Sequence, residues 1–215
     1  MSLLVNEIFY SIQGESSHAG RPCIFIRLTG CNLRCSYCDT RYAYEEGILM
    51  NVSEIIDRIF SYPCRLVEVT GGEPLLQKNT PALIKDMLER KYEVLLETNG
   101  SRSIGTVDPR CVRIVDVKCP SSGEADKNVF ENFSHLTSQD EVKFVIIDRD
   151  DYHYARRILF EYEKACAICK PPLFSPAFGQ MDPATLAKWI IDDGLPVRMQ
   201  LQLHKLIWDP GKRGV

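Results

Sequence analysis

Short runs of apolar, often β-branched residues alternate along the chain with segments whose apolar positions recur every three or four residues. The runs predict six strands, at Cys23–Leu28, Leu66–Val69, Tyr92–Leu96, Val112–Val117, Val142–Ile147 and Pro172–Phe174. The periodic segments predict four helices, at Val52–Ser61, Thr80–Glu89, Asp150–Tyr162 and Asp182–Asp193. Near-continuous apolar strands that alternate with helices indicate a parallel sheet covered by helices.

Six strand-helix units are too few to close an eight-unit barrel, so the pattern predicts an open, partial barrel. No repeat and no Pro-, Ser- or Gly-rich linker divides the chain, and we expect one α/β domain over residues 1–215. In sheets of this kind the reactive groups gather at the carboxyl ends of the strands. The residues that directly follow each apolar run are therefore the candidate functional positions.

The balance of basic and acidic residues makes some classes of binding partner less suitable than others. The chain carries 26 basic and 29 acidic residues and a formal net charge of −3. This balance favours neither a nucleic-acid partner nor a membrane surface, and it suits a small-molecule substrate. No stretch approaches the ~20 apolar residues of a membrane span, and the N-terminus has no basic start. We therefore expect a cytoplasmic protein.

Nine cysteines, an odd number, argue against a disulfide framework and favour reduced thiols or a metal centre. Six of them have ordinary neighbours and are expected to be small buried hydrophobes: Cys23, Cys64, Cys111, Cys119, Cys166 and Cys169. The last two form a C-x-x-C pair, but two further thiols for a second cluster are not nearby.

The other three cysteines stand close together in the segment GCNLRCSYCDT, directly after the first predicted strand. Cys31, Cys35 and Cys38 supply three thiolates, and no fourth Cys or His follows at a spacing typical of structural zinc. A three-ligand iron-sulfur cluster leaves one iron open for a chelating cofactor, and thiolates favour iron-sulfur or zinc over hard cations. The segment predicts a metal centre, with zinc as the alternative to iron-sulfur.

This C-x-x-x-C-x-x-C spacing, with an aromatic residue before the last cysteine, resembles the signature of the radical S-adenosylmethionine superfamily. The resemblance implies a partial (β/α)6 barrel with abbreviated helices and a 4Fe-4S cluster on the three cysteines. It further implies that S-adenosylmethionine chelates the fourth iron and is cleaved to methionine and a 5′-deoxyadenosyl radical. That radical abstracts a hydrogen atom from the substrate, so no catalytic side chain is expected beyond it.

Three further strand ends carry polar motifs: EVTGGEP, ETNG and DVKCP. Glycine allows close backbone approach, and the resemblance implies that Gly72 pairs with the amino group of S-adenosylmethionine. The positions that the resemblance assigns to this cofactor are Ser36, Tyr37, Asp39, Gly72, Glu73, Glu97, Asn99, Asp116, Val117, Lys118, Ser175, Pro176, Ala177 and Phe178. For the Asn and Asp residues, loop capping is the alternative role.

The N-terminal segment EIFYSIQGES, together with RLTGCNLRCSYCDT, TGGEP, ETNG, DVKCPSSG and QLHK, resembles the 7-carboxy-7-deazaguanine synthase family and touches most of the chain. The resemblance implies that the radical takes a hydrogen from C6 of 6-carboxy-5,6,7,8-tetrahydropterin. A ring contraction with loss of ammonia then yields 7-carboxy-7-deazaguanine, on the route to queuosine and other deazapurines.

Substrate recognition is expected from groups that match the pterin edge and the substrate carboxylate. The resemblance assigns the substrate to Ile12, Gln13, Gly14, Glu15, Arg27, Thr70 and His204. Arg27 can hold a carboxylate bidentately, and a strand-edge salt bridge is its alternative role. For Gln13 and Glu15 the alternative is a solvated turn, and for His204 a structural role.

The family pattern CDT implies that Thr40 binds a magnesium ion bridging to the substrate, with a helix cap as the alternative. The family further implies a homodimer and a flavodoxin-like or similar electron donor. Two rival functions share parts of the pattern. One is a glycyl-radical activating enzyme, which acts on a protein, and the other is a nonenzymatic metal-binding module.

Overall fold

One nine-stranded sheet runs through the computed structural model, which describes residues 1–215. Its strands are β1 (Ser2–Ile12), β2 (Pro22–Leu28), β3 (Ile48–Asn51), β4 (Leu66–Gly71), β5 (Glu93–Thr98), β6 (Val112–Val117), β7 (Glu141–Ile146), β8 (Leu173–Pro176) and β9 (Arg198–Met199). The helices are α1 (Val52–Phe60), α2 (Thr80–Glu89), α3 (Arg149–Glu161), α4 (Glu163–Cys166), α5 (Pro183–Asp192) and α6 (Leu203–Ile207). No helix is long and apolar enough to cross a bilayer.

The strand order is β3-β1-β2-β4-β5-β6-β7-β8-β9, so the two end strands do not meet. Every pair from β2 to β9 is parallel, whereas β1 is antiparallel to both of its neighbours. An unclosed parallel sheet with helical crossovers confirms the predicted partial barrel. All six predicted strands and all four predicted helices are present, and α2 has the predicted bounds.

The pattern of apolar residues does not predict β1, β3, β9 or the short helices α4 and α6. In β1 the polar pair Asn6 and Glu7 breaks the apolar pattern, and the register with β2 shifts between Val5 and Glu7. Such a shift is typical of a β-bulge, which disturbs the strict alternation on which strand prediction depends. β9 has only two residues and carries no periodic signal of its own.

Capping groups explain where the predicted helices begin. At the start of α1, Asn51 N donates to Glu54 Oε2 at 2.6 Å. This is one of the two hydrogen bonds of a capping box. At the start of α5, Asp182 accepts from the backbone of Thr185 at 3.0 Å, and Pro183 occupies the first helical position.

Because successive side chains along a strand point to opposite sides, the sheet has two faces. On β4, Val67 and Val69 join the core that packs under α1 and α2, while Glu68 and Thr70 point to the opposite, concave face. The floor of that concave face is an apolar cluster of Cys23, Phe25, Leu66, Leu95, Val112 and Ile114. Two residues further along their strands, the same face carries Glu97 and Asp116. The barrel interior is therefore apolar at one end and charged at the end where the strands terminate.

All nine cysteines are free thiols. Among the six that were expected to be buried, four are buried: Cys23, Cys111, Cys119 and Cys166. Cys64 and Cys169 are only partly covered.

A buried ion pair lies on the face of the sheet opposite the cavity. Removing it by substitution measures how much it stabilises the fold. Asp140 is fully buried and accepts hydrogen bonds from Arg113 Nη2 at 2.5 Å and from Thr137 N at 2.7 Å. We expect Asp140→Ala to lower the free energy of unfolding by about 3–5 kcal/mol, because it leaves the buried Arg113 guanidinium without its partner. Urea denaturation measures the change.

The matched control removes an exposed ion pair between neighbouring helix turns. Asp86 accepts from Arg90 Nε at 3.0 Å on the surface of α2. Asp86→Ala should cost only about 0.3–0.5 kcal/mol. Equal effects of the two substitutions would contradict the stabilising role of the buried pair.

Candidate functional site

A cavity of about 820 Å³ opens at the carboxyl ends of the parallel strands. Every position that the sequence analysis assigned to a cofactor, metal or substrate lines it, except Glu73 and Val117. The predicted residues come from strand ends that are far apart in the chain, and the parallel sheet places those ends at one rim. The structure thus brings the three predicted groups of residues into one space.

Cys31, Cys35 and Cys38 lie on the loop after β2 and face this cavity. Burial raises the pKa of Cys35 to about 11, although the nearby charge of Lys118 opposes the shift. No three His, Cys, Asp or Glu side chains of the chain converge on one metal-ion position. In a 4Fe-4S cluster each cysteine binds a different iron, so its three ligands surround a volume and need not meet at a point.

The glycine motif packs directly on the cysteine loop. Glu73 N donates to Gly30 O at 2.8 Å. A Cβ added at Gly72 would lie 2.3 Å from Gly30 O and 2.6 Å from Cys31 Cβ. Only glycine permits this approach, which leaves the Gly72 backbone at the cavity wall beside the first cysteine.

Glu73 and Val117 stabilise this wall from behind. The fully buried Glu73 carboxyl accepts from Asn99 N at 2.7 Å and from Leu75 N at 2.9 Å. It therefore holds together the loops that follow β4 and β5. The Val117 side chain packs in the hydrophobic core that includes α3.

Two buried polar atoms at this end of the cavity have no hydrogen-bond partner in the protein: Tyr37 Oη and Asp116 Oδ1. Asp116 Oδ2, in contrast, accepts from Lys118 Nζ at 2.7 Å. Buried polar atoms are nearly always paired in native proteins. The two unpaired atoms, the Gly72 backbone and the cysteine loop together fit a polar cofactor bound between them.

At the other end, Gln13 is buried and Glu15 is half-buried, so the solvated turn that was the alternative for them is wrong. Gln13 donates from Nε2 to Glu68, and its Oε1 accepts from Glu15 N at 3.0 Å. The Glu15 carboxylate accepts from Lys143 Nζ and from Gln202 Nε2, each at 3.0 Å. Burial opposes ionisation of Glu15, but the Lys143 charge and the Gln202 hydrogen bond hold its pKa below the ordinary value.

Lys143 is the most consequential residue that the sequence analysis missed. It lies on β7, is buried, and forms ion pairs with both Glu15 and Glu97. A single lysine inside the apolar run EVKFVI was the available signal. Other lining residues that were not predicted include Glu68, Tyr42, Gln202, Lys205 and the chain end from Pro210 to Val215.

The chain end packs against the N-terminal loop. Leu203 N donates to Gly14 O at 3.0 Å, and a Cβ at Gly14 would lie 2.2 Å from His204 Nδ1. Burial lowers the pKa of His204, which lines the cavity. Further along, Arg213 lies 3.8 Å from the Tyr42 ring centroid and forms an ion pair with Glu46 at 2.8 Å.

Arg27 forms the salt bridge that was considered as its alternative role, through Nε to Glu7 Oε1 at 2.8 Å. Tyr42 Oη donates to the same carboxylate oxygen at 2.9 Å. The terminal guanidinium nitrogens of Arg27 make no hydrogen bond within the protein, and the residue lines the cavity. Glu7 therefore orients the guanidinium and leaves its outer edge available to an anion.

Thr40 precedes a short 3₁₀ turn, Arg41–Tyr44, but its side chain makes no capping hydrogen bond, so the helix-cap alternative is wrong. Thr40 Oγ1 instead donates to Asp39 Oδ1 at 2.9 Å. Asp39 also forms an ion pair with Lys205, which joins the cysteine loop to α6.

The comparisons with known proteins agree with this geometry. Residues 25–111 match the model of the radical SAM superfamily. The chain is 47% identical to 7-carboxy-7-deazaguanine synthase of Chlorobaculum tepidum, over 99% of this chain and 97% of that protein. It is 44% identical to the protein of the same name from Koribacter versatilis, over 98% and 99% of the two chains.

The chain belongs to the 7-carboxy-7-deazaguanine synthase family. The crystal structure of QueE from Escherichia coli matches it with a TM-score of 0.81 over 95% of both chains, at 20% identity, which shows the same fold. Membership of this family makes the protein a radical S-adenosylmethionine enzyme and implies a 4Fe-4S cluster and S-adenosylmethionine. It sets aside both rivals, the glycyl-radical activating enzyme and the nonenzymatic metal module.

The close packing at Gly72 allows a test of whether this 7-carboxy-7-deazaguanine synthase family member needs the contact to bind its cluster. We expect Gly72→Ala to lower the iron and sulfide bound per chain after anaerobic reconstitution, because the new methyl group displaces the Cys31 loop. Gly194→Ala is the control for backbone strain alone, because Gly194 has a φ of +57° that disfavours alanine, while nothing lies within 4 Å of a Cβ there. Normal iron content in Gly72→Ala would show that the cysteine loop does not depend on this contact.

Proposed function

We propose that the chain converts 6-carboxy-5,6,7,8-tetrahydropterin to 7-carboxy-7-deazaguanine, with ring contraction and loss of ammonia, as a carbon-nitrogen lyase of queuosine and deazapurine biosynthesis in the cytoplasm. The observation that carries the proposal is that one cavity joins the cysteine loop to a polar pocket with an available arginine edge. Full-length similarity to proteins named for this product supports it.

The cofactor end of the cavity would be formed by the cysteine loop and the neighbouring strand ends. Cys31, Cys35 and Cys38 would hold the 4Fe-4S cluster, which together with bound S-adenosylmethionine supplies radical chemistry for hydrogen abstraction. The Gly72 backbone lies beside Cys31, where it can accept from the cofactor amino group. The unpaired Asp116 Oδ1 and Tyr37 Oη offer further hydrogen bonds to its polar groups.

The substrate end would recognise both parts of the pterin. The outer edge of Arg27 can bind the substrate carboxylate through two parallel hydrogen bonds, because Glu7 already fixes the guanidinium plane. The segment from Ile12 to Glu15 lines the cavity and presents backbone and side-chain groups to the pterin edge. Thr70 Oγ1, 3.3 Å from Glu97 Oε2, and His204 complete this wall.

Thr40 would bind a magnesium ion that also contacts the substrate carboxylate. Its hydroxyl lies on the cavity wall next to the Asp39 carboxylate. Magnesium commonly takes few protein ligands and completes its octahedron with substrate oxygens and water. A single hydroxyl near the Arg27 anion pocket fits this type of site.

Two partners belong to the proposal, a second copy of the chain and a flavodoxin-like or similar electron donor. The edge strand β3 exposes 72% of Ile48 and 68% of Leu49, and an uncovered apolar edge favours pairing. Near the cysteines, the exposed Arg34 and Arg41 flank the loop through which an electron would enter.

The activity has a direct test. The anaerobically reconstituted and reduced protein, given S-adenosylmethionine and 6-carboxytetrahydropterin, should yield 7-carboxy-7-deazaguanine by mass spectrometry. Cys35→Ala should form neither this product nor 5′-deoxyadenosine, because one cluster ligand is missing. Formation of 5′-deoxyadenosine without the deazapurine in the wild-type enzyme would retain the radical chemistry and refute the substrate.

The magnesium site predicts a separate effect. Thr40→Val keeps the shape of the side chain and removes its ligand oxygen, so stimulation of product formation by added Mg²⁺ should be lost. The measurement is initial rate against Mg²⁺ concentration for both proteins after chelator treatment. An unchanged Mg²⁺ response in Thr40→Val would place the ion elsewhere or exclude its role.

A further inference from the structure

Glu68 is a buried carboxyl group that neither the cofactor nor the substrate assignments use. It lies in the middle of β4, opposite Phe25 of β2, and shares the concave face with Thr70. Only 4% of the residue is exposed, yet it lines the cavity. A glutamate in such a place is rare unless it is paired or functional.

The ionised groups around Glu68 supply no free positive charge that would offset an ionised Glu68 carboxylate. The ionisable groups that act on it include Cys23 on β2, Glu97 on β5, Lys143 on β7 and Glu15 on the loop after β1. Lys143, the positive group among them, forms ion pairs with Glu15 and Glu97 and not with Glu68.

Burial and the repulsion from Glu97 and Glu15 hold the pKa of Glu68 well above its usual range. The Lys143 charge and the hydrogen bond from Gln13 act in the opposite direction but do not overcome these effects. Two carboxylates already share one lysine, so the third carboxyl is most stable with its proton.

The hydrogen bonds of Glu68 leave one oxygen available. Gln13 Nε2 donates to Glu68 Oε2, which is the single hydrogen bond of this side chain. Oε1 has no hydrogen-bond partner in the protein, and Glu68 lines the cavity. A protonated Glu68 that accepts at Oε2 therefore carries its hydroxyl hydrogen on Oε1, towards the cavity.

We propose that Glu68 binds the substrate as a neutral carboxylic acid, donating a hydrogen bond from Oε1 to an acceptor of the pyrimidinone ring. The acceptor is the oxo oxygen or an unprotonated ring nitrogen, and Oε2 holds the Gln13 amide at the same time. This inference rests on the proposed pterin substrate. The wall formed by Gln13 and Thr70 thereby gains a substrate contact that has no net charge.

Two substitutions separate a neutral donor from a carboxylate. Glu68→Gln keeps a donor and an acceptor without charge, so the KM for 6-carboxytetrahydropterin should stay within about threefold of wild type. Glu68→Leu removes both groups, and KM should rise roughly 10- to 100-fold. Glu161→Gln, on the exposed side of α3, is the control for loss of a carboxyl group.

The pH dependence of KM distinguishes a hydrogen-bond donor at Glu68 from a side chain that only packs, because packing alone would not change with pH. In the wild-type enzyme, KM should rise towards alkaline pH, because Glu68 ionises above its raised pKa and loses the donor. In Glu68→Gln this rise should disappear, while any titration of the substrate or of His204 remains in both proteins. Because it uses a near-isosteric variant, this comparison decides the question even if Glu68→Leu does not fold.

The outcomes are distinct. A normal KM in Glu68→Leu, or a loss in Glu68→Gln as large as in Glu68→Leu, overturns the neutral-donor role while the wild-type activity still stands. Identical alkaline profiles for wild type and Glu68→Gln also overturn it. If the wild-type enzyme makes no 7-carboxy-7-deazaguanine, the proposed function fails first and the inference fails with it.

Discussion

Lys143 places one buried positive charge in a barrel interior where carboxyl groups converge from several directions. Its ammonium group meets Glu15 from the N-terminal loop and Glu97 from β5, and Asp116 Oδ2 lies 3.9 Å away. Removing a charge from water is costly unless partners compensate it. The positions of the N-terminal loop and of two strand ends are therefore tied to this one side chain.

The sheet explains why the charges gather there. Parallel strands end at a common rim, and alternation sends every second side chain into the interior. Leu95 and Ile114 contribute to the apolar floor, and two positions later Glu97 and Asp116 face the cavity. The same geometry that forms a dry core thus also forms a polar cavity one pleat further along.

The sequence predicted the parallel strands well and placed the cysteine loop at a strand end, because both have local signals. The apolar run of β2 leads directly into the spacing of Cys31, Cys35 and Cys38. β1 was missed because Asn6 and Glu7 break its pattern, and Lys143 because a charged residue in an apolar run reveals nothing about its partners. The contacts of Glu68, Gln202 and Arg213 depend on residues far away in the chain, and no local pattern encodes them.

The docking of α6 on the N-terminal loop has a consequence for the order in which the cavity forms during folding. His204 packs against Gly14, and Gln202 donates to Glu15, so the first and last segments of the chain form the same wall. The cysteine loop, in contrast, packs on the loop after β4 through residues much closer in the chain, since Glu73 N donates to Gly30 O. Gln202 and Glu15 are 187 residues apart, and contacts of such high sequence separation form late, so a folding intermediate would hold the cysteine loop in place beside a cavity that still lacks this wall.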